Sequence, residues 1–136
     1  MRWLLDTDIC SFAIMGDPTV FTRLDALDRD SWAISSLVCA ELRFGLDKGC
    51  LAPRSTQALT KFLRAAPVVA FDREAAKEAA AVRCELERQG TPSGVMDQLI
   101  AGQARALGAV LVTANLKHFR HVPGLAIDNW RAPSSH

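Results

Sequence analysis

No two of the four cysteines form a C-x-x-C pair. Cys10, Cys39, Cys50 and Cys84 are scattered along 136 residues, so neither a zinc knuckle nor a dithiol redox motif is spelled. They read as reduced thiols, and their apolar, helix-like surroundings predict small buried hydrophobes. Long apolar runs are missing as well. None approaches the roughly 20 residues that cross a bilayer, and Met1-Arg2-Trp3 runs straight into a strand-like segment too short for a secretory signal. A membrane location is therefore not expected, and a reducing cytoplasm is. Nor is there a surplus of charge: 16 Lys and Arg against 15 Asp and Glu leave +1. That balance neither points to nor excludes nucleic acid, because a phosphate backbone responds to a local basic face and not to the sum. Internal repeats and low-complexity runs are also lacking. With 49% hydrophobic residues the chain can bury a core of its own. It is expected to form one domain over residues 1–131, with Ala132–His136 as a flexible tail.

What is present is an alternation. The short apolar runs Trp3–Leu5, Trp32–Ile34, Val68–Phe71, Val110–Val112 and Leu125–Ile127 predict strands, and the stretches between them carry helical periodicity. Asp17-Pro18 spells a helix start, with Phe21, Leu24 and Leu27 as the predicted inner stripe. Asp72 caps another helix, with Ala75, Ala79, Val82 and Leu86 inward and Gly90 as its stop. Strands separated by helices imply right-handed crossovers and a mostly parallel sheet covered on both faces. The expected fold is α/β, a three-layer α/β/α sandwich. In such sheets reactive groups gather at the carboxyl ends of the strands.

Three acids fit that location. Asp6 ends the first apolar run, Glu41 shares a helical stripe with Leu37, Ala40 and Phe44, and Asp97 shares one with Ile100, Ala101 and Ala104. A carboxylate on a core-facing stripe is costly unless paired, hydrogen-bonded or metal-bound, so three together suggest a shared cation. Mg²⁺ and Mn²⁺ favour hard oxygen ligands, and such a cation can activate water and neutralise charge developing on a phosphate.

The segments Leu4-Leu5-Asp6-Thr7-Asp8-Ile9, Ile34-Ser35-Ser36 leading to Ala40-Glu41-Leu42-Arg43-Phe44-Gly45, Asp97-Gln98-Leu99-Ile100-Ala101, and Leu111-Val112-Thr113-Ala114-Asn115 with His118-Phe119 follow one another in an order that resembles the PIN-domain family. The particular likeness is to VapC-type ribonuclease toxins of bacterial toxin–antitoxin pairs, from about Trp3 to Trp130. The resemblance implies a metal-dependent endoribonuclease cutting structured RNA such as tRNA, with Asp6, Glu41 and Asp97 as catalytic acids binding Mg²⁺ or Mn²⁺. Ser35, Thr113, Asp8 and Asn115 would support them. It also implies a VapB-like antitoxin partner and a homodimer. The chain departs from the family at two places: Asn115 stands where the family commonly has a fourth acid, and Asp8 where it has Asn. One well-held metal, on Asp6 and Asp97 with Glu41 direct or through water, is the consequence expected.

Other readings compete for the same residues. Asp6 could simply cap a helix, and Asp8 could be a first-turn acid favoured by the helix dipole. Direct joint ligation of one metal by Asp6 and Asp8 is not expected unless the turn is irregular, since residue i+2 on a helix turns away from residue i. His118 and His121 read as surface or RNA-contact residues in preference to zinc ligands. Arg43 and Lys117 are candidate RNA contacts, with Arg105 and Arg120 behind them. The three tryptophans read as packing residues. Phe12, Phe21, Phe44 and Phe62 are candidates for an apolar groove that takes an amphipathic antitoxin segment. Two further functions remain: a haloacid-dehalogenase-like phosphatase with Asp6 as nucleophile, which the Asp6-Thr7-Asp8 spelling permits, and a PIN-like module that binds RNA without cutting.

Overall fold

The computed structural model describes residues 1–131; the tail Ala132–His136 lies outside them. Five strands form one sheet: β1 (Trp3–Leu5), β2 (Trp32–Ser35), β3 (Val68–Val69), β4 (Val110–Val112) and β5 (Ile127–Asp128). Their order is β3-β2-β1-β4-β5 and every neighbouring pair is parallel, with Leu4 opposite Ala33 on one side and Leu111 on the other. β2 runs one residue beyond the expected segment, β3 stops two short, and β5 starts later. β3 and β5 shift because edge strands pair on one side only, and β2 is extended by the pairing of Ser35 with Val69.

Six α-helices connect the strands: α1 (Thr7–Ile14), α2 (Pro18–Asp25), α3 (Ser36–Asp47), α4 (Pro53–Ala65), α5 (Arg73–Gln89) and α6 (Val95–Leu107). From β1 the chain steps outward to β2 and then β3, so right-handed crossovers put α1 to α4 on one face, where they touch one another. The return from β3 to β4 places α5 and α6 on the opposite face, packed as a pair. β1 is thus the point where the strand order reverses, and the crevice beyond the ends of β1 and β4 is the place such sheets reserve for ligands.

Local chemistry sets the helix ends as read from sequence. Asp17 accepts from the Thr19 and Val20 amides with Pro18 next, Asp72 accepts from the Ala75 amide, and Gly90 closes α5 at φ 72°. Faces were harder to read. On α2 the buried residue is Val20, while Phe21 is about half exposed; the two are adjacent apolar residues about 100° apart on the helix, and packing decides which of them turns inward. Cys10 is buried as expected, but Cys50 and Cys84 are exposed, and all four thiols are free. Trp130 and Trp32 are buried, and Trp3 meets Trp130 edge to face at 5.5 Å.

The α5 and α6 pair is held by two devices. Gly102 lets the helices approach so closely that a Cβ there would collide with the Ala79 backbone. Arg105, largely buried, donates to Glu85 at 2.6 Å, to Glu78 and to the Pro123 carbonyl. This removes Arg105 from the candidate RNA contacts, since its donors are committed inside the fold. Gly102→Ala is expected to lose about 2–3 kcal/mol through overpacking, seen as a melting temperature several degrees lower; an unchanged melting temperature would mean that the helices separate without cost.

Candidate active site

The end of β1 delivers Asp6 in extended conformation (φ −74°, ψ 163°), where it caps α1 through the Thr7 amide at 2.9 Å. Its other carboxylate oxygen accepts from the Thr113 hydroxyl at 3.0 Å, across the crevice at the end of β4. Asp8 approaches from the first turn of α1. Its oxygens accept from the Ile9 amide at 2.7 Å and the Ala114 amide at 3.1 Å, and the Thr113 hydroxyl lies 3.4 Å away. Asp6 and Asp8 therefore both approach one threonine. The reason is that Asp6 stands before the helix, in extended backbone. Asp8 is also a first-turn acid, as read, but one that ties α1 to the loop after β4. A hydroxyl has one proton to donate, and the shorter distance favours Asp6; the Thr113 oxygen in turn accepts from the Asn115 amide at 3.0 Å.

The other two acids arrive on separate helices. Asp97 stands in the first turn of α6 with 27% of its side chain exposed, and its Oδ2 lies 3.2 Å from His118 Nδ1. Glu41 is exposed, and so are Ala40 and Phe44 of its supposed core stripe; the face of α3 turned to the core is Val38 and Leu42. The stripe argument for Glu41 thus fails, although the residue does reach the site: its Oε1 accepts from the Thr7 hydroxyl at 2.6 Å. Ser35 is fully buried and caps α3 through the Leu37 amide at 3.0 Å, so its contribution is to fix the helix bearing Glu41. Asn115 is exposed and engages Thr113 through its backbone.

Crowding of acids shows in their protonation. Burial, then the neighbouring Asp8 charge, with a smaller push from Asp97, leaves the Asp6 carboxyl pushed up to about 6. Asp97 is also raised, by burial first and with repulsion from Glu41 and Asp8, against the lowering influence of His118. Four acids thus sense one another across a single crevice. Among the described residues no three His, Cys, Asp or Glu side chains already enclose a point for a metal ion, because Glu41 and Asp97 are turned to Thr7 and His118. The donor set nevertheless suits a hard cation: all oxygen, partly desolvated and short of compensating positive charge.

Thr7, the partner of Glu41, was not singled out from sequence, and His118, read as a surface or RNA-contact residue, is the partner of Asp97. Only the hydroxyl directly after Asp6 hinted at the first of these pairings. Of the candidate RNA contacts, Arg43 pairs with Asp47 at 3.3 Å on the exposed face of α3, and Arg120 lies against His121. Lys117 is placed beside Asp97, lining the same cavity.

The sequence model of the PIN domain matches residues 3–125. The chain belongs to the PIN-domain family. Within it, the tRNA(fMet)-specific endonuclease VapC of Salmonella typhimurium is 35% identical over 130 residues, covering 96% of this chain and 98% of the relative. The ribonuclease VapC2 of Rickettsia felis is 36% identical over 132 residues, at the same coverage. The DNA-bound VapBC crystal structure from Salmonella typhimurium superposes at a TM-score of 0.86, with 35% identity over 96% of this chain and 98% of that one. This is a VapC-type PIN ribonuclease, and ribonucleases of the family generally use divalent metal ions. The phosphatase reading loses its ground, since the Asp6-Thr7-Asp8 spelling belongs to the PIN pattern.

Proposed function

We propose that the chain is the toxin of a VapBC-type pair, a Mg²⁺- or Mn²⁺-dependent endoribonuclease whose catalytic acids are Asp6, Glu41 and Asp97. The observation that carries this reading is the convergence of Asp6, Asp8, Glu41 and Asp97, from three separate elements, close enough that the neighbouring acids add to burial in raising the proton affinity of Asp6 and Asp97. When bound, a divalent ion would supply an activated water and neutralise charge on the phosphate. The chain's own residues do the rest. Thr113 fixes the orientation of Asp6, and Asp8 fastens the loop carrying Thr113 and Asn115 to α1. Asp6, Glu41 and Asp97 would hold the ion; without it, Glu41 accepts from the Thr7 hydroxyl and Asp97 is paired with His118. With a neutral amide at Asn115, one ion is held well and a second weakly. Structured RNA, tRNA first, is the substrate class; the Salmonella relative named for tRNA(fMet) supports it.

The nuclease domain spans residues 1–131 and works in the cytoplasm as a homodimer; no helix among the described residues is long and apolar enough to cross a membrane. A VapB-like antitoxin silences it. An apolar groove of about 590 Å³ between α1, α3 and α4, walled by Ile14, Met15, Leu42 and Leu59, has Glu41 on its rim. An antitoxin segment seated there would bring a basic side chain to Glu41 in place of the metal. The phenylalanines expected to form the groove do not line it: Phe62 packs on Trp32, and Phe12 lies under the Arg131 guanidinium. Incubation with total tRNA and Mg²⁺ or Mn²⁺ tests the reading. Discrete cut ends should appear and should vanish with excess chelator; undiminished cutting in chelator, or no cutting with any divalent ion, overturns it.

A further inference from the structure

Gln103 is 1% exposed, on the buried face of α6, where a leucine or methionine would fill the same space without a polar group. Its Nε2 donates to the Ala70 carbonyl at 3.1 Å and lies 3.5 Å from the Val69 carbonyl, at the end of the edge strand β3, while its Oε1 has no partner. An unmatched buried amide oxygen is costly. What the Nε2 holds therefore has to account for the group. The next residue of that segment is held from the other side: the Phe71 amide donates to the Ser36 hydroxyl at 3.0 Å, and Ser36 opens α3. Val69–Phe71 thus takes one tie from each layer of helices. One layer carries Glu41 on α3 and the other Asp97 on α6. Ser36 and Gln103 each stand within about two helical turns of the acid on their own helix, a length over which a helix behaves as a rigid element and passes on a shift.

We propose that Gln103 is a positioning residue for the acidic crevice: through Val69–Phe71 and Ser36 it fixes α6 against α3, and so sets the separation between the Asp97 and Glu41 carboxylates. The Ser36 hydroxyl is the second half of the same device. Neither side chain touches metal or RNA. The two acids do not set their own spacing, since like charges repel. Their partners Thr7 and His118 belong to α1 and to the 3₁₀ turn after β4, so neither joins α3 to α6. The effect on catalysis rests on the metal-nuclease reading, because the spacing matters where both carboxylates hold one ion; a misplacement of about 1 Å at a reacting centre costs on the order of a hundredfold. The tie itself does not depend on that reading.

The test compares Gln103→Met, Ser36→Ala, the double variant, Ser36→Thr, which keeps the hydroxyl, and Gln57→Met, a control on the exposed face of α4. Thermal melting confirms that each is folded. Hydrogen exchange in metal-free protein reads the tie alone: the Phe71 amide should exchange about tenfold faster in Gln103→Met, although the substitution lies in the other layer of helices. Calorimetric titration of Mn²⁺ without RNA reads the crevice. Gln103→Met and Ser36→Ala should each weaken binding about tenfold, and the double variant about as much as either alone, because both act through one segment. Ser36→Thr and Gln57→Met should bind as the unmodified protein does. In RNA cleavage the two single variants should lower kcat about tenfold with KM nearly unchanged. Unchanged Phe71 exchange in Gln103→Met would overturn the tie, and a loss of about a hundredfold in the double variant would overturn the shared path. Faster exchange with unaltered Mn²⁺ affinity and kcat would overturn the positioning role while leaving the nuclease reading intact. An unmodified protein that neither binds Mn²⁺ nor cuts RNA would instead overturn the nuclease reading and, with it, the role in catalysis, whatever the exchange shows of the tie.

Discussion

Asp97→Asn is expected to lower the rate of RNA cleavage by roughly a thousandfold or more while the protein stays folded. The substitution keeps the size of the side chain and an oxygen that still accepts from His118, so the first turn of α6 loses no packing. What disappears is one negative charge from a cluster whose attraction for a divalent ion depends on the sum of its carboxylates. A thousandfold loss corresponds to about 4 kcal/mol of barrier at about 1.4 kcal/mol per decade, in the range reported for removal of a group that acts on transition-state charge. Cleavage of tRNA under saturating Mg²⁺ measures it, with circular dichroism and thermal melting confirming the fold. Cutting by Asp97→Asn within tenfold of the unmodified protein would remove Asp97 from the catalytic set.

Asp6→Asn, equally inactive, is expected to be more stable than the unmodified protein at neutral pH. The folded state holds the Asp6 proton more tightly than the unfolded chain does, about 6 against 3.8. Below about pH 3.8 the carboxyl is protonated in both states and contributes no difference. As pH rises from there to 6 the unfolded chain releases the proton while the folded one keeps it, so stability falls. Above about 6 the full penalty stands, of the order of 2–3 kcal/mol at about 1.4 kcal/mol per unit. Asparagine never ionises, so the variant should melt several degrees higher at pH 7.5, with the advantage gone at pH 4. Mg²⁺ should stabilise the unmodified protein and close part of the gap, because an ion bound only to the folded state adds to its stability. A melting difference that does not change with pH would show that Asp6 is not desolvated in the way described.

The ease with which these residues were read from sequence varied with the range of the forces that place them. The Asp17-Pro18 start of α2 and the Asp72 and Gly90 ends of α5 depend on backbone groups within a few residues, and all stand where the pattern put them. Asp6 and Asp97 were legible because each interrupts a run that is otherwise buried. Glu41 was found through the family pattern and not through its stripe, whose Ala40 and Phe44 face solvent. The links that organise the site, Thr7 to Glu41 and Thr113 to Asp6, join residues 34 and 107 positions apart. Nothing local marks them, since they exist only once the sheet has brought the strand ends together. The role of Arg105 as an internal clamp was hidden for the same reason: its partners lie on α5 and in the Pro123 loop.

The reversal of strand order at β1 also bears on the time at which the protein becomes dangerous to the cell making it. Asp6 is made 107 positions before Thr113, the residue whose hydroxyl orients it, and β4 must enter the sheet beside β1 before the two can meet. β1, β2 and β3 with their helices can associate while synthesis continues, since a chain folds as its segments emerge. That partial assembly has an open sheet edge where β4 belongs and half a crevice. The crevice is therefore incomplete until the chain has been made through β4, and the acids cannot take up their arrangement before then.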